Sequence, residues 1–334
     1  MLFPDVKKTL KRAVLCKIPC FIWGGPGIGK SSLIKEIAAE EKMKLFDVRL
    51  SLLEPSDLRG LPWPDKDSGI VRWLIPDFWP PKDSNHNILL FLDELNQAPK
   101  QVQAASLQLL LDRRLGNYTL PEKTSVVAAG NREEDLALVN IMSSALCNRM
   151  VHVELETDID NWIRWAKREN ISHEIISFLQ FRPELLYKLT GEKAFPTPRT
   201  WSMASRLLPK KATDLEMIKM IIVSCVGEAS ATEFIAWYNY YRNVDVKAIL
   251  EGKYPKFENK ETSYKYAVVS AIGYYLHKHG VKGYEEAIAG FLKLLSPEFR
   301  VLLLKYLKEN LIRQLCRHSS MREMASQLLK VVVG

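Results

Sequence analysis

The chain has 334 residues, 47% of them hydrophobic and 26% charged, with a formal net charge of +8. That length allows two or three domains, and that balance is one of a folded globular protein, which sets aside disordered and fibrous classes. The basic excess permits an acidic or nucleic-acid partner. Its residues are scattered in short clusters such as Lys7-Lys8 and Lys210-Lys211, however, so nucleic acid is possible and not favoured.

Five cysteines, Cys16, Cys20, Cys147, Cys225 and Cys316, are odd in number and widely spread. Cys16 and Cys20 have no matching ligand pair elsewhere, so buried reduced thiols are expected rather than zinc. The apolar stretch Ile18 to Trp23 is too short for the core of a signal peptide and runs into a glycine loop. No run approaches the ~20 apolar residues of a membrane span. A cytoplasmic location is expected.

In chain order, Lys17 to Gly24 reads as a short apolar strand, followed by a glycine turn and a helix over Lys30 to Lys42. Leu45 to Leu50 alternates like a second strand, and Ile88 to Leu92 is a continuous apolar run suited to burial on both faces. Pro99 to Leu115 reads as a helix opened by Pro99 and closed by Gly116. Ser125 to Ala129 and Val151 to Leu155 are further strands. Strands alternating with helices predict an α/β fold with a parallel sheet covered on both faces. From about Asp158 helical periodicity takes over, with helix starts at Ser296-Pro297-Glu298 and at the capping box Ser320 to Glu323. Val244 to Thr262 reads as a connector. The expected division is an α/β core over 1–156, a helical lid over 157–242 and a C-terminal helical region over 243–334.

Three motifs carry chemistry. Gly24-Gly25-Pro26-Gly27-Ile28-Gly29-Lys30-Ser31 fits G-x-x-x-x-G-K-[ST] throughout, between an expected strand and an expected helix. Glycines let backbone N–H groups turn inward around phosphate, and the helix beginning near Lys30 adds its positive end. ATP is the expected ligand, held by Gly24 through Ser31 and by the next residue, Ser32. Lys30 is expected at the β- and γ-phosphates, and the Ser31 hydroxyl on Mg²⁺. The strand ending in Asp93-Glu94 delivers two acids to a strand tip. Asp93 is expected to hold Mg²⁺, and Glu94 to polarise the attacking water. Asn131, closing Ala128-Ala129-Gly130-Asn131, is placed to hold that water or the γ-phosphate; alone it would read as a turn residue.

With these residues in place, the chain resembles the AAA+ superfamily. The phosphate loop, Asp93 to Pro99, Gly130-Asn131, Asn148-Arg149 and Pro198-Arg199 follow its order and spacing, and "DELNQAP" and "PSDLRG" (Pro55 to Gly60) resemble its MoxR and dynein-related branch. The resemblance implies a hexameric ring of identical subunits with ATP between neighbours, acting on a protein partner, often one with a von Willebrand factor A-type domain. It assigns Asn131 to the sensor-1 position, Arg149 to the arginine finger reaching a neighbour's γ-phosphate, and Arg199 to the sensor-2 arginine of the lid. Ordinary surface ion pairs are the alternative for both arginines. The branch also implies a β-hairpin insert, which Leu61 to Ile75 fits around the turn Asp65 to Gly69, and Gly116-Asn117-Tyr118 resembles the turn of a second hairpin. Trp63, Trp73 and Trp79 there are equally open to a partner-facing or a core role. No aromatic–hydrophobic–glycine pore loop follows the second strand, so threading of unfolded polypeptide is not implied. Trp237, Tyr238, Tyr240 and Tyr241 fall at helical spacing and read as core. Two further functions stay open: a nucleic-acid remodeller and a slow ATP-dependent assembly switch.

Overall fold

A computed structural model describes residues 1–135, 140–209, 214–257 and 259–321. The chain forms two compact units. The first comprises Met1–Trp162 with Tyr187–Glu192 and Thr197–Thr200; the second comprises the described residues of Ile163–Leu186, Lys193–Pro196 and Trp201–Gly334.

In the first unit, helix α1 (Phe3–Leu15) precedes strand β1 (Cys20–Trp23), helix α2 (Lys30–Glu40) and strand β2 (Lys44–Arg49). A short helix α3 (Pro55–Arg59) leads into the hairpin β3 (Leu61–Asp65) and β4 (Ile70–Leu74), then strand β5 (Ile88–Asp93) and helix α4 (Lys100–Asp112). A second, two-residue hairpin, β6 (Arg114–Leu115) and β7 (Tyr118–Thr119), precedes β8 (Thr124–Gly130), the short helix α5 (Ser144–Cys147) and β9 (Val151–Glu154). The parallel sheet has the order β2-β5-β8-β1-β9.

Every residue of β5 and β8 is buried, because helices cover both faces. Alternation divides the side chains. Ile22, Leu89, Phe91, Val127 and Ala129 pack with Leu10 of α1 and Ile34 and Ile37 of α2. Phe21, Leu90, Leu92, Val126 and Ala128 pack with Val102, Ala105 and Leu109 of α4. The expected helix over 99–115 stops at Asp112. Arg113 adopts a left-handed φ of 53° and its guanidinium donates to Pro121 O and Thr124 O, both at 2.9 Å, so the chain turns early into the second hairpin. The three tryptophans part company: Trp79 is buried with its Nε1 donating to Leu58 O at 2.9 Å, Trp73 is half-buried, and Trp63 is exposed.

The second unit is helical: the described segments are α6 (Ile159–Arg168, whose first turn falls in the first unit), α7 (His173–Phe181), α8 (Pro198–Leu207, likewise shared), α9 (Leu215–Val226), α10 (Glu228–Arg242), α11 (Val246–Leu250), α12 (Thr262–His279), α13 (Glu285–Leu294), α14 (Pro297–Tyr306) and α15 (Glu309–Arg317). Phe178, Trp201, Phe234 and Trp237 form an aromatic core in which Trp201 Nε1 donates to Leu185 O at 2.7 Å. Tyr306 is buried with its hydroxyl 2.9 Å from Ser177 Oγ and 3.0 Å from Ser270 Oγ. The expected connector over 244–262 contains α11, whose first turn Asp245 caps by accepting from Ala248 N–H. Helix α14 starts at Pro297 after Ser296, as its sequence predicts. Glu323, the second member of the capping box, and the pair Lys210-Lys211 lie outside the described residues. Cys20 is buried, but Cys16, capping the end of α1, is exposed, against the expectation of buried thiols.

Phe91→Ala should cost about 3–5 kcal/mol, since a fully buried ring between two helices leaves a cavity. Ile70→Ala on the exposed hairpin should change stability by less than about 0.5 kcal/mol. Urea midpoints check this, and equal shifts would remove Phe91 from the centre of the core.

Candidate functional site

The sheet order decides which loops meet. In register, Trp23 lies beside Gly130 and Leu92 beside Ala128, so the carboxyl ends of β1, β8 and β5 are neighbours. The loop from Gly24 to Gly29 leaves β1, with Gly24 N–H donating to Gly130 O at 3.3 Å, and enters α2 at Lys30. Gly29 makes that entry with φ of 104°, a conformation closed to most side chains, and a Cβ there would meet nothing within 4 Å. The space beside Gly29, next to the first turn of α2, is therefore open. The N–H groups of Lys30, Ser31 and Ser32 in that turn have no helical acceptor, so the loop suits an anion.

Lys30 is the centre of the site. Its Nζ donates to Gly24 O at 2.5 Å, to Gly25 O at 3.0 Å and to Asn131 Oδ1 at 2.8 Å. Burial pushes its ammonium down to about 8; the nearby carboxylates of Asp93, Asp135 and Glu94 oppose that shift and Arg199 reinforces it. Ser31 Oγ donates to Asp93 Oδ2 at 3.0 Å. Asp93, 6% exposed, has its carboxyl pushed up by burial, with the Ser31 hydrogen bond acting the other way. Glu94 follows in a left-handed conformation, φ 58° and ψ 33°, which turns the chain off the strand. Its carboxylate accepts a hydrogen bond from the Ser51 hydroxyl.

The structure brings Gly24 through Ser32, Asp93, Glu94 and Asn131 to one sheet edge. Arg199, near the start of α8, joins them: its main-chain N–H donates to Gly27 O at 3.2 Å. Arg149 stays apart. Its Nη1 donates to Ala145 O at 2.8 Å within its own turn, and its Nε is buried without a partner among the described residues.

Sequence reasoning gave no role to Ser51, Asn96 or Asp135. Asn96 is 2% exposed and pairs with the Asn131 main chain. Asp135, 3% exposed, is gripped by Arg132 through Nε at 3.2 Å and Nη2 at 3.0 Å. A signal for Asn96 was present: a polar residue two places beyond the Asp-Glu pair, in a segment otherwise suited to burial.

Residues 20–158 match the family described as ATPase family associated with various cellular activities (AAA). The first unit carries an AAA ATPase domain. Its parallel five-stranded sheet with flanking helices and phosphate loop is the AAA+ P-loop NTPase fold, followed by a helical C-terminal region. No curated protein sequence matches the chain. Among solved structures, the chain is similar to the RuvB Holliday junction branch migration motor of Thermotoga maritima (13% identity, covering 91% of this chain and 82% of that one, TM-score 0.36). It is also similar to a putative ATPase of Cytophaga hutchinsonii (15%, 98% and 88%, TM-score 0.37) and to NtrX of Brucella abortus in complex with ADP (14%, 91% and 68%, TM-score 0.42). Among the described residues no helix is long and apolar enough to cross a membrane.

A lysine held down to about 8 makes nucleotide binding pH-dependent in a definite direction. Bound phosphate favours the charged ammonium, so binding takes up a proton once the pH exceeds that value. ADP affinity should be flat up to about pH 7.5 and then fall, approaching tenfold per pH unit. Titration calorimetry from pH 7 to 9.5 checks this. Affinity unchanged at pH 9.5 would contradict it.

Proposed function

We propose that this protein is a cytoplasmic MoxR-like ATPase that hydrolyses ATP between the subunits of a homo-oligomeric, hexameric ring and uses the turnover to remodel or activate a protein partner. The observation that carries the hydrolytic part is the convergence of Lys30, the Ser31–Asp93 pair, Glu94 and Asn131 on the open phosphate loop.

In this proposal the loop N–H groups between Gly25 and Ser32, all but Pro26, bind the phosphates and Lys30 neutralises their β–γ end. Ser31 and Asp93, already 3.0 Å apart, are the residues that would hold Mg²⁺, which when bound offsets charge on the phosphates. Two protein oxygens suit an ion that keeps most of its water. No group of three or more His, Cys, Asp or Glu able to hold a metal occurs among the described residues. Glu94 is the base that takes a proton from the attacking water, and Asn131 orients that water or the γ-phosphate. Arg199 lies close enough to the loop to respond to the phosphates within its own subunit. Arg149, whose Nη1 among the described residues is bonded to Ala145 O of its own turn, is the group offered to a neighbour's nucleotide.

For the partner, the support is the β3–β4 hairpin. Leu61, Trp63, Ile70, Val71 and Leu74 are each 55–65% exposed on it, an unusual density of large apolar residues in solvent. A von Willebrand factor A-type protein is the proposed occupant, on the strength of the branch resemblance.

Glu94→Gln should keep nucleotide affinity within about threefold of the parent while phosphate release falls by ~10²-fold or more, since the amide is no base. Lys30→Ala should lose affinity itself. Parental turnover in Glu94→Gln would make Glu94 a bystander, and unchanged affinity in Lys30→Ala would dispose of the phosphate-loop assignment.

A further inference from the structure

We infer that Asn96 is a positioning residue for hydrolysis: its side-chain amide takes the place of the missing neighbouring strand beyond the end of β5 and so fixes where Asn131 points. The inference rests on the proposed role of Asn131 and adds a residue to it.

Strand β8 runs to Gly130, but its pairing with β5 ends at Leu92 opposite Ala128. Beyond Asp93 the left-handed turn at Glu94 carries the chain away into a 3₁₀ turn over Leu95–Gln97. The N–H and C=O of half-buried Asn131, just past the end of β8, would there be left without a strand partner, which is unfavourable. Asn96 matches them. Its Nδ2 donates to Asn131 O at 2.7 Å, and its Oδ1 accepts from Asn131 N–H at 3.3 Å. One carboxamide thus supplies the donor and the acceptor that a neighbouring strand would have supplied.

Gly130 is the other half of the fit. A Cβ on Gly130 would stand 2.1 Å from Asn96 Oδ1, so this position admits the carboxamide only because it has no side chain. The main chain of Asn96 is engaged as well: its carbonyl accepts from Asn140 N–H at 2.7 Å. With its N–H and C=O both pinned, Asn131 has its Cα–Cβ direction set, and its Oδ1 comes to 2.8 Å from Lys30 Nζ. Asn96 touches no reacting atom; it acts through Asn131.

The substitution Asn96→Asp tests this without changing volume. A carboxylate still accepts from Asn131 N–H but cannot donate to Asn131 O, so one of the two anchors becomes a repulsion. A shift of Asn131 by about an ångström is enough to cost ~10²-fold in rate. Steady-state kinetics are to be measured for Asn96→Asp, Asn131→Ala and the double variant, with thermal melts alongside. The expected result is a fall in kcat of tenfold or more for each single variant, with KM within about threefold. The double variant should be no slower than Asn131→Ala alone, because the two residues act as one unit. Multiplying losses, or a lowered melting temperature with kcat intact, would reduce Asn96 to a structural role and overturn the inference. If Asn131→Ala itself keeps parental kcat, the proposed role of Asn131 fails and the inference with it. If Asn131→Ala is slow and Asn96→Asp is not, the inference alone fails. Should Asn96→Asp not fold, Asn96→Ser, which keeps a small polar group, runs through the same cycle with the same expected outcomes.

Discussion

Three acceptors around one ammonium organise the nucleotide end of this protein. Lys30 Nζ reaches Gly24 O, Gly25 O and Asn131 Oδ1 from the first turn of α2, and so ties the end of β1 to the end of β8 across the sheet edge. Burial disfavours its charge, and the carboxylates of Asp93, Asp135 and Glu94 compensate. A cation held in so poor a dielectric environment, beside helix-start N–H groups that have no helical acceptor, suits a polyanion.

That arrangement depends on the core beneath it. Parallel strands β1, β5 and β8 end together only because α1 and α2 cover one face and α4 the other, which keeps β5 and β8 wholly buried. Where the sheet stops, side chains take over the work of main chain. Asn96 completes the end of β8, Ser51 holds the Glu94 carboxylate, and Arg132 fixes Asp135. The acids at the edge are therefore aimed by neighbours rather than left to solvent, as orientation of charge before reaction requires.

Much of this was legible in the sequence, for identifiable reasons. The phosphate loop has a spacing set by backbone geometry, and β5 and β8 are apolar runs ending in polar residues, so strand position and site position were given together. Helix ends were less legible: α4 stops at Asp112 rather than Leu115 because Arg113 finds carbonyl partners at Pro121 and Thr124, residues no local pattern points to. The same limit hid Ser51 and the partner of Asn96, since both roles arise from contacts across the sheet. Tryptophan identity did not foretell burial, since Trp79 has a carbonyl acceptor within the fold and Trp63 sits exposed on the β3–β4 ribbon. Arg149 is the reverse case. Its role was suggested by resemblance, and among the described residues its guanidinium bonds within its own turn.

An arginine separated from its own site gives the account its sharpest test, because a shared site behaves unlike a private one. Arg149→Ala keeps an intact phosphate loop but lacks the proposed finger; Lys30→Ala lacks the loop lysine but keeps Arg149. Each alone should hydrolyse ATP poorly, with a finger supplied across an interface typically worth ~10³ to 10⁵ in turnover. Phosphate release should be measured on equimolar mixtures of the two, after mass photometry has shown that mixed assemblies form. The account predicts that activity reappears, since Arg149 of one variant completes the site of the other. Mixed assemblies that recover nothing would contradict it.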